Sequence, residues 1–142
     1  MYLYKIRRAK DYLVNEDALK IESPNTIGDA YKEYFDRLDR EHFEIVHLNR
    51  KNFIVGREVI SIGSSSSSIV HPREVFKGAI MNSSECIILM HNHPSGDLTP
   101  SAEDRSITRR LIEAGDILEI KVLDHIIFGG GRYVSMKERG DI

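Results

Sequence analysis

The spacing of hydrophobic residues along the chain predicts three amphipathic helices. Apolar side chains recur every three or four positions in residues 26–38, in residues 73–81 and again after Pro100, which is the repeat of one buried helix face. Pro72 suits the first position of the second helix, because that position needs no backbone N–H. Gly115 is expected to end the third helix, since glycine accepts the left-handed conformation that is common after a helix.

Runs rich in β-branched and aromatic residues predict strands elsewhere in the chain. They cover residues 43–48, 53–62, 86–91, 117–128 and 132–136. The first two are separated by polar residues 49–52 and are expected to pair as an antiparallel hairpin. Helices and strands mixed in this order predict an α/β (α+β) fold, with a mainly antiparallel or mixed β-sheet flanked by helices.

Length and composition fit a single globular domain. The chain has 142 residues, of which 41% are hydrophobic and 30% are charged, enough to form one core. The longest apolar run, residues 86–90, is far shorter than the roughly 20 residues of a membrane-spanning helix, and no signal segment opens the chain. We therefore expect a cytoplasmic protein without a membrane partner.

The net charge of −2 gives no overall attraction to the phosphate backbone of nucleic acid. Basic residues do cluster, near the start and again in the third predicted helix, at Lys5, Arg7, Arg8, Lys10, Arg105, Arg109 and Arg110. A solvated surface is the more frequent role of such residues. A nucleic-acid partner is therefore open but not favoured.

The segment from His91 to Asp104 carries the candidate chemistry. Residues i and i+2 of an extended chain point to the same side, so His91 and His93 at a strand end can present two imidazoles to one point. Pro94 ends the strand, and the next helix carries Ser101 and Asp104 on one face. We therefore expect Asp104 to return to the two histidines.

Two imidazoles and one carboxylate form a ligand set suited to zinc. Three protein ligands leave a fourth position for water, as catalytic sites do, and zinc can lower the pKa of such a water to about 7. A base must then take the proton of that water. Glu58, Glu74 and Glu85 are the candidates, and spacing alone does not choose between them.

Each part of this pattern also has a purely structural interpretation. Ser101 and Asp104 match the Ser-x-x-Asp capping pattern of a helix start, which needs no metal. A pair such as His91 and His93 is more often satisfied by hydrogen bonds than by a metal. The coincidence of the pair, a Pro-Ser-Gly break and the Ser-x-x-Asp pattern within 14 residues favours the metal.

The same stretch resembles the JAMM signature His-x-His-x7-Ser-x2-Asp, with every defining residue in place. The text His-Asn-His-Pro-Ser-Gly is similar to the form seen in the RadC family. Flanking segments at residues 48–52, 71–77 and 122–127 extend the resemblance over about residues 25–139. The chain is thus similar to the JAB domain of RadC proteins, without their N-terminal helix-hairpin-helix domain.

The resemblance implies a JAB/MPN fold of the cytidine-deaminase-like kind, with a curved mixed sheet between helices. It divides the chain into an N-terminal extension, residues 1–24, and a JAB domain, residues 25–142. The zinc ligands that it implies are His91, His93 and Asp104.

In function, the resemblance implies a zinc-dependent JAMM-type hydrolase that cleaves a peptide or isopeptide bond. Glu58 would take the proton of the water and deliver it to the departing amine, and Ser101 would donate to the oxyanion. Two other functions stay open: a non-catalytic MPN interaction module and a DNA-repair or DNA-processing protein of the RadC type.

Two further features carry weaker expectations. Asp124 and His125 lie on a predicted strand, where one of them could hydrogen-bond a zinc ligand, although a satisfied core pair is at least as frequent. The serine run at residues 64–68 is expected to be a loop.

Overall fold

The computed structural model describes residues 19–63 and 70–142. The serine run at residues 64–68 and most of the N-terminal extension predicted for residues 1–24 therefore lie outside the described residues. Within the described ranges, no helix is both long enough and apolar enough to cross a membrane.

A mixed five-stranded sheet organises the described residues. The elements follow the order α1 (Pro24–Asp36), β1 (Glu41–Leu48), β2 (Ile54–Gly63), α2 (Pro72–Met81), β3 (Cys86–Asn92), α3 (Ala102–Leu118), β4 (Lys121–Gly129) and β5 (Arg132–Ser135). In the sheet, the strands lie in the order β2-β1-β3-β4-β5. β3 and β4 are parallel and joined through α3, whereas the other neighbours, including the predicted β1–β2 hairpin, are antiparallel. The predicted fold class is confirmed.

The sheet separates two hydrophobic clusters, because successive residues of a strand point to opposite faces. On one face, α1 packs against Val46 and Ile88. On the other face, α2 and α3 cover Ile45 and Leu89. Every residue of β3 is buried, and full burial of each apolar side chain stabilises the fold by about 1.5–3 kcal/mol. Burial along the whole of β3 therefore fixes the position of His91 near its carboxyl end.

Helix α3 is longer than the sequence predicts. Gly115, the predicted end, lies inside the helix, which continues to Leu118 and is followed by Glu119 in the left-handed conformation, with φ 58°. The strand predicted from residue 117 therefore begins later, at Lys121. Gly115 serves close packing instead, because a Cβ at that position would overlap the carbonyl oxygen of Ile120.

Candidate metal centre

The carboxyl end of β3 carries the two predicted histidines. His91 is buried and pairs in register with Phe43 of β1 on one side and with Ile127 of β4 on the other. His93 lies just past the strand, where its backbone N–H donates to the carbonyl oxygen of Phe128 at 2.7 Å. The two imidazole rings meet edge to face, with their Nε2 atoms 2.9 Å apart.

Asp104 reaches both rings from the first turn of α3. Its Oδ1 lies 3.1 Å from Nε2 of His91, and its Oδ2 lies 3.1 Å from Nε2 of His93. Ser101 caps the helix: its Oγ accepts from the backbone N–H of Asp104 at 3.0 Å, and its own N–H donates to Asp104 Oδ2 at 2.8 Å. The structure thus brings Asp104 to the two histidines and caps α3 with the same pair of residues.

Hydrogen bonds on the far side of each ring decide which nitrogen faces the cluster. Nδ1 of His93 lies 2.6 Å from the carbonyl oxygen of Asp97, and Nδ1 of His91 lies 2.7 Å from Nε2 of His125. A carbonyl oxygen only accepts, so Nδ1 of His93 carries its hydrogen. Both rings therefore turn Nε2 toward Asp104.

The carboxylate and the imidazoles shift one another's pKa. Burial alone would raise the pKa of Asp104, but its contacts with the His91 and His93 imidazoles outweigh burial and hold that pKa far below its usual range. The hydrogen bond to Asp104 raises the pKa of His93, against a smaller lowering by burial. Behind them, burial and then the charge of His91 lower the pKa of His125 well below its ordinary value. The Asp104 carboxylate and the His93 imidazole therefore favour each other's charged forms.

Glu41 is the carboxylate that joins this cluster from the sheet. Its Oε1 lies 3.7 Å from Nε2 of His91, and Glu41, His91 and His93 offer ligand atoms that all lie within 4.8 Å of one another. Glu41 opens β1, directly beside β3, and shares a strand face with Phe43, the partner of His91. It is missed from the sequence because the predicted strand begins at residue 43. Glu41 lies two positions before Phe43 and so falls on the same, buried face of an extended chain. This alternation is the sequence pattern that could have identified it.

The donor atoms of this cluster fit a zinc ion. Catalytic zinc takes imidazole nitrogens at about 2.0–2.1 Å and carboxylate oxygens at about 2.0–2.2 Å in tetrahedral geometry, which sets neighbouring ligand atoms about 3.3 Å apart. Nε2 of His91 and Nε2 of His93 are 2.9 Å apart, and each lies 3.1 Å from an oxygen of Asp104. The two imidazoles need to separate by only a few tenths of an ångström to share an ion, and carboxylate oxygens of Asp104 and of Glu41 lie beside the same nitrogens.

Glu58, the base that the resemblance implies, lies elsewhere. It pairs with Ile45 from β2, the edge strand beyond β1. Its Oε2 lies 2.9 Å from Nε2 of His47, whose Nδ1 lies 2.7 Å from Oγ of Ser84. Helix α2 passes close above, since a Cβ at Gly78 would overlap the carboxylate. The expectation that Glu58 reaches the metal ligands is not met. Strand β1 lies between β2 and β3, and the Glu58 carboxylate is hydrogen-bonded to His47 instead.

The other two acidic candidates for the base form ion pairs at the surface. Glu74 contacts Lys77, with the nitrogen 3.1 Å from the carboxylate oxygen, and Glu85 contacts Arg50 at 3.1 Å. Both pairs are largely exposed. Neither position supports a role at the metal ligands.

The basic residues considered for nucleic acid are only partly described. Arg109 and Arg110 are exposed on α3. The basic residues 7, 8 and 10 lie outside the described residues. A nucleic-acid partner therefore stays the less favoured alternative.

A mixed sheet whose central strand ends in His-x-His, with an aspartate returning from the next helix start, defines a domain of the JAB/MPN class. The model of the family described as the RadC-like JAB domain matches residues 21–141. The chain belongs to this family, and the predicted RadC resemblance is confirmed.

Curated relatives share this region. A UPF0758 protein of Desulfitobacterium hafniense is 57% identical over 120 residues, which are 84% of this chain and 53% of that protein. One of Caldanaerobacter subterraneus is 58% identical over 120 residues, 84% of this chain and 52% of that protein. One of Methanococcoides burtonii is 49% identical over 140 residues, 99% of this chain and 61% of that protein. The chain thus spans between about half and three-fifths of these relatives, whose names state no activity.

Proposed function

We propose that this domain is a zinc-dependent hydrolase of the JAMM type that cleaves a peptide or isopeptide bond with water. The observation that carries the proposal is the convergence of two imidazole Nε2 atoms and both oxygens of one carboxylate, in His91, His93 and Asp104. These three residues would hold the ion. When bound, zinc supplies a Lewis acid that polarises a carbonyl group and lowers the pKa of water to about 7.

Glu41 is the general base of the proposed mechanism, in place of Glu58. Its Oε1 lies 3.7 Å from Nε2 of His91, at the border of the ligand cluster. There it would accept a proton from the attacking water as the new C–O bond forms. It would then deliver that proton to the amine as the C–N bond breaks, so the carboxylate is regenerated.

Ser101 is proposed to stabilise the oxyanion that forms during the attack. Its Oγ accepts a hydrogen bond from Asp104 N in the helix cap, which leaves the hydroxyl hydrogen as a donor. A hydrogen bond that strengthens as the oxyanion forms lowers the barrier to hydrolysis. Ser101 can therefore cap α3 and assist the reaction at once.

Zinc content is the first test of the proposal. The protein would be purified without added metal, as the wild type, as Asp104→Ala and as Asp116→Ala, an exposed aspartate on the same helix. We expect about one zinc per chain in the wild type and in Asp116→Ala, and far less in Asp104→Ala, which lacks one of three ligands.

Cleavage is the second test. Mixed fluorogenic peptides and lysine-linked isopeptides should be hydrolysed by the zinc-loaded wild type, and a chelator should abolish this activity. A wild type that takes up no zinc even when zinc is added would contradict the proposal. It would favour a non-catalytic interaction module in which Ser101 and Asp104 serve as a helix cap.

A further inference from the structure

A chain of hydrogen bonds behind His91 leads through two buried residues to the backbone of α3. Nδ1 of His91 lies 2.7 Å from Nε2 of His125, and Nδ1 of His125 lies 2.6 Å from Oγ1 of Thr108. Oγ1 of Thr108 lies in turn 2.6 Å from the carbonyl oxygen of Asp104. His125 and Thr108 are fully buried, so bulk water does not compete for these hydrogen bonds.

The last acceptor fixes the direction of every hydrogen bond in the chain. A carbonyl oxygen only accepts, so the single hydroxyl hydrogen of Thr108 goes to Asp104. The sulfur of Met136, 3.8 Å from Oγ1, is a weaker acceptor, and a hydrogen sent there would leave two oxygens facing each other. Thr108 can then only accept from His125, whose hydrogen lies on Nδ1. Nε2 of His125 is thus an acceptor and takes the Nδ1 hydrogen of His91.

We infer that Thr108 and His125 form a tautomer relay that keeps a lone pair on Nε2 of His91, the atom that faces Asp104 and His93. The inference rests on the metal site proposed above, and it makes Thr108 and His125 positioning residues. A neutral imidazole binds a metal through the nitrogen that lacks the hydrogen, and the partner of its other nitrogen decides which one that is.

His91 needs such a relay more than His93 does. His93 donates from Nδ1 to the carbonyl oxygen of Asp97, which permits one tautomer only. His91 instead meets another imidazole, which can accept or donate. Without a fixed acceptor behind it, His125 could donate to His91, whose hydrogen would move to Nε2 and point at Asp104, 3.1 Å away. That hydrogen would occupy the position of the ion.

A neighbouring buried hydroxyl offers a matched control for the relay. Ser135 donates to Oδ2 of Asp124, whose Oδ1 accepts from the backbone N–H groups of His125 and Lys137. Ser135 is buried, as Thr108 is. Its hydrogen bonds stabilise the same part of β4 but involve no imidazole nitrogen. Loss of this hydroxyl should therefore affect stability without affecting the tautomer of His91.

Zinc affinity, measured by competition with a chelator, tests the relay in Thr108→Val, Thr108→Ser and Ser135→Ala. Thr108→Val keeps the side-chain shape but removes the hydroxyl, so zinc should bind more weakly, by up to the roughly 10- to 100-fold that is typical when the direct partner of a metal ligand is lost. Thr108→Ser keeps the hydroxyl and should bind zinc as the wild type does. Ser135→Ala should melt at a lower temperature with the zinc affinity of the wild type.

The outcomes separate the relay from the metal site. Equal zinc affinity in Thr108→Val and the wild type would overturn the relay and leave the metal site intact. An equally large loss in Ser135→Ala would also overturn it, because general loosening of β4 would then explain both results. A wild type without zinc affinity would overturn the site and the relay together.

A second measurement needs no variant and so does not depend on folding of Thr108→Val. The ring nitrogen chemical shifts of His125 in the zinc-loaded wild type report where its hydrogen lies. We expect the hydrogen on Nδ1, facing Thr108. A hydrogen on Nε2, facing His91, would overturn the relay.

Discussion

The two ends of β1 lie beside two histidine–carboxylate clusters that differ in what their donor atoms face. At one end, Nε2 of His47 contacts Glu58 and Nδ1 contacts Ser84, so the protein uses both ring nitrogens. At the other end, beside Glu41, the Nε2 atoms of His91 and His93 face each other and one carboxylate. The first cluster is complete as it stands, whereas the second concentrates ligand atoms around one point.

The difference is one of convergence, because both clusters place imidazole and carboxylate about equally close. Nε2 of His47 lies 2.9 Å from Glu58, and Nε2 of His91 lies 3.1 Å from Asp104. In the His47 cluster both ring nitrogens already have protein partners, so this imidazole offers no lone pair to an ion. A histidine beside an acidic residue therefore indicates a metal site only where several ligand atoms point their lone pairs toward one position.

The largest effect on hydrolysis should come from replacing one of the two glutamates, Glu41 or Glu58, by glutamine. Glu41→Gln removes the proposed base and should lower hydrolysis about 10²- to 10⁴-fold with zinc retained. Glu58→Gln can keep a hydrogen bond to His47 and should retain most activity. Initial rates and zinc content, measured on both variants, check this. Lost activity in Glu58→Gln together with normal activity in Glu41→Gln would restore Glu58 as the base.

A smaller effect on hydrolysis is expected from Ser101→Gly. Glycine is tolerated at a helix N-cap, so the variant should lose only a few tenths of a kcal/mol of stability. Loss of the hydroxyl donor should lower the turnover rate about 10²- to 10³-fold. Thermal melting and turnover would be measured together. A variant with unchanged turnover would reduce Ser101 to a helix cap.

His47→Leu tests how much the cluster of His47, Glu58 and Ser84 contributes to the stability of the fold. The substitution removes both hydrogen bonds of the ring and leaves buried Ser84 without that partner, so the free energy of unfolding should fall by about 1–3 kcal/mol. Denaturant unfolding measures this loss. Zinc content should stay at the wild-type level, and a large loss of zinc would show that the two clusters are coupled through β1.

The smallest effect is a pH dependence of the metal-ligand cluster. In the metal-free protein, the raised pKa of His93 gives stability that is fully present below its ordinary value of about 6.5 and lost as pH rises through the raised pKa. The lowered pKa of Asp104 gives stability present above about 3.9 and lost as pH falls through the lowered value. The pair therefore stabilises the metal-free protein most between about pH 4 and 6.5.

Zinc competes with the proton that His93 binds as pH falls through its raised pKa. The difference in melting temperature between zinc-loaded and metal-free protein should therefore widen as pH rises from about 6, and level off once the raised pKa of His93 is passed. Melting curves of both forms across this range check the prediction. A difference that does not change with pH would contradict the proton competition.

The fold was predictable from the sequence where local patterns are strong. The unbroken apolar run of β3 and the polar turn between β1 and β2 each predict the element that forms. The end of α3 was predicted wrongly, because Gly115 was interpreted as a helix stop. Its role depends on Ile120, which comes close only after the chain has turned, at Glu119. Such a contact cannot be inferred from the spacing of residues along the helix.

The sequence by itself determined the meeting of His91, His93 and Asp104. A strand end, a break and a capped helix start follow one another within 14 residues, so local geometry is enough to bring them together. Only the tertiary structure decided which glutamate stands beside them. Strand order puts Glu41 next to β3 and Glu58 one strand away, on His47. That choice depends on pairing between distant segments, which residue spacing along the chain does not encode.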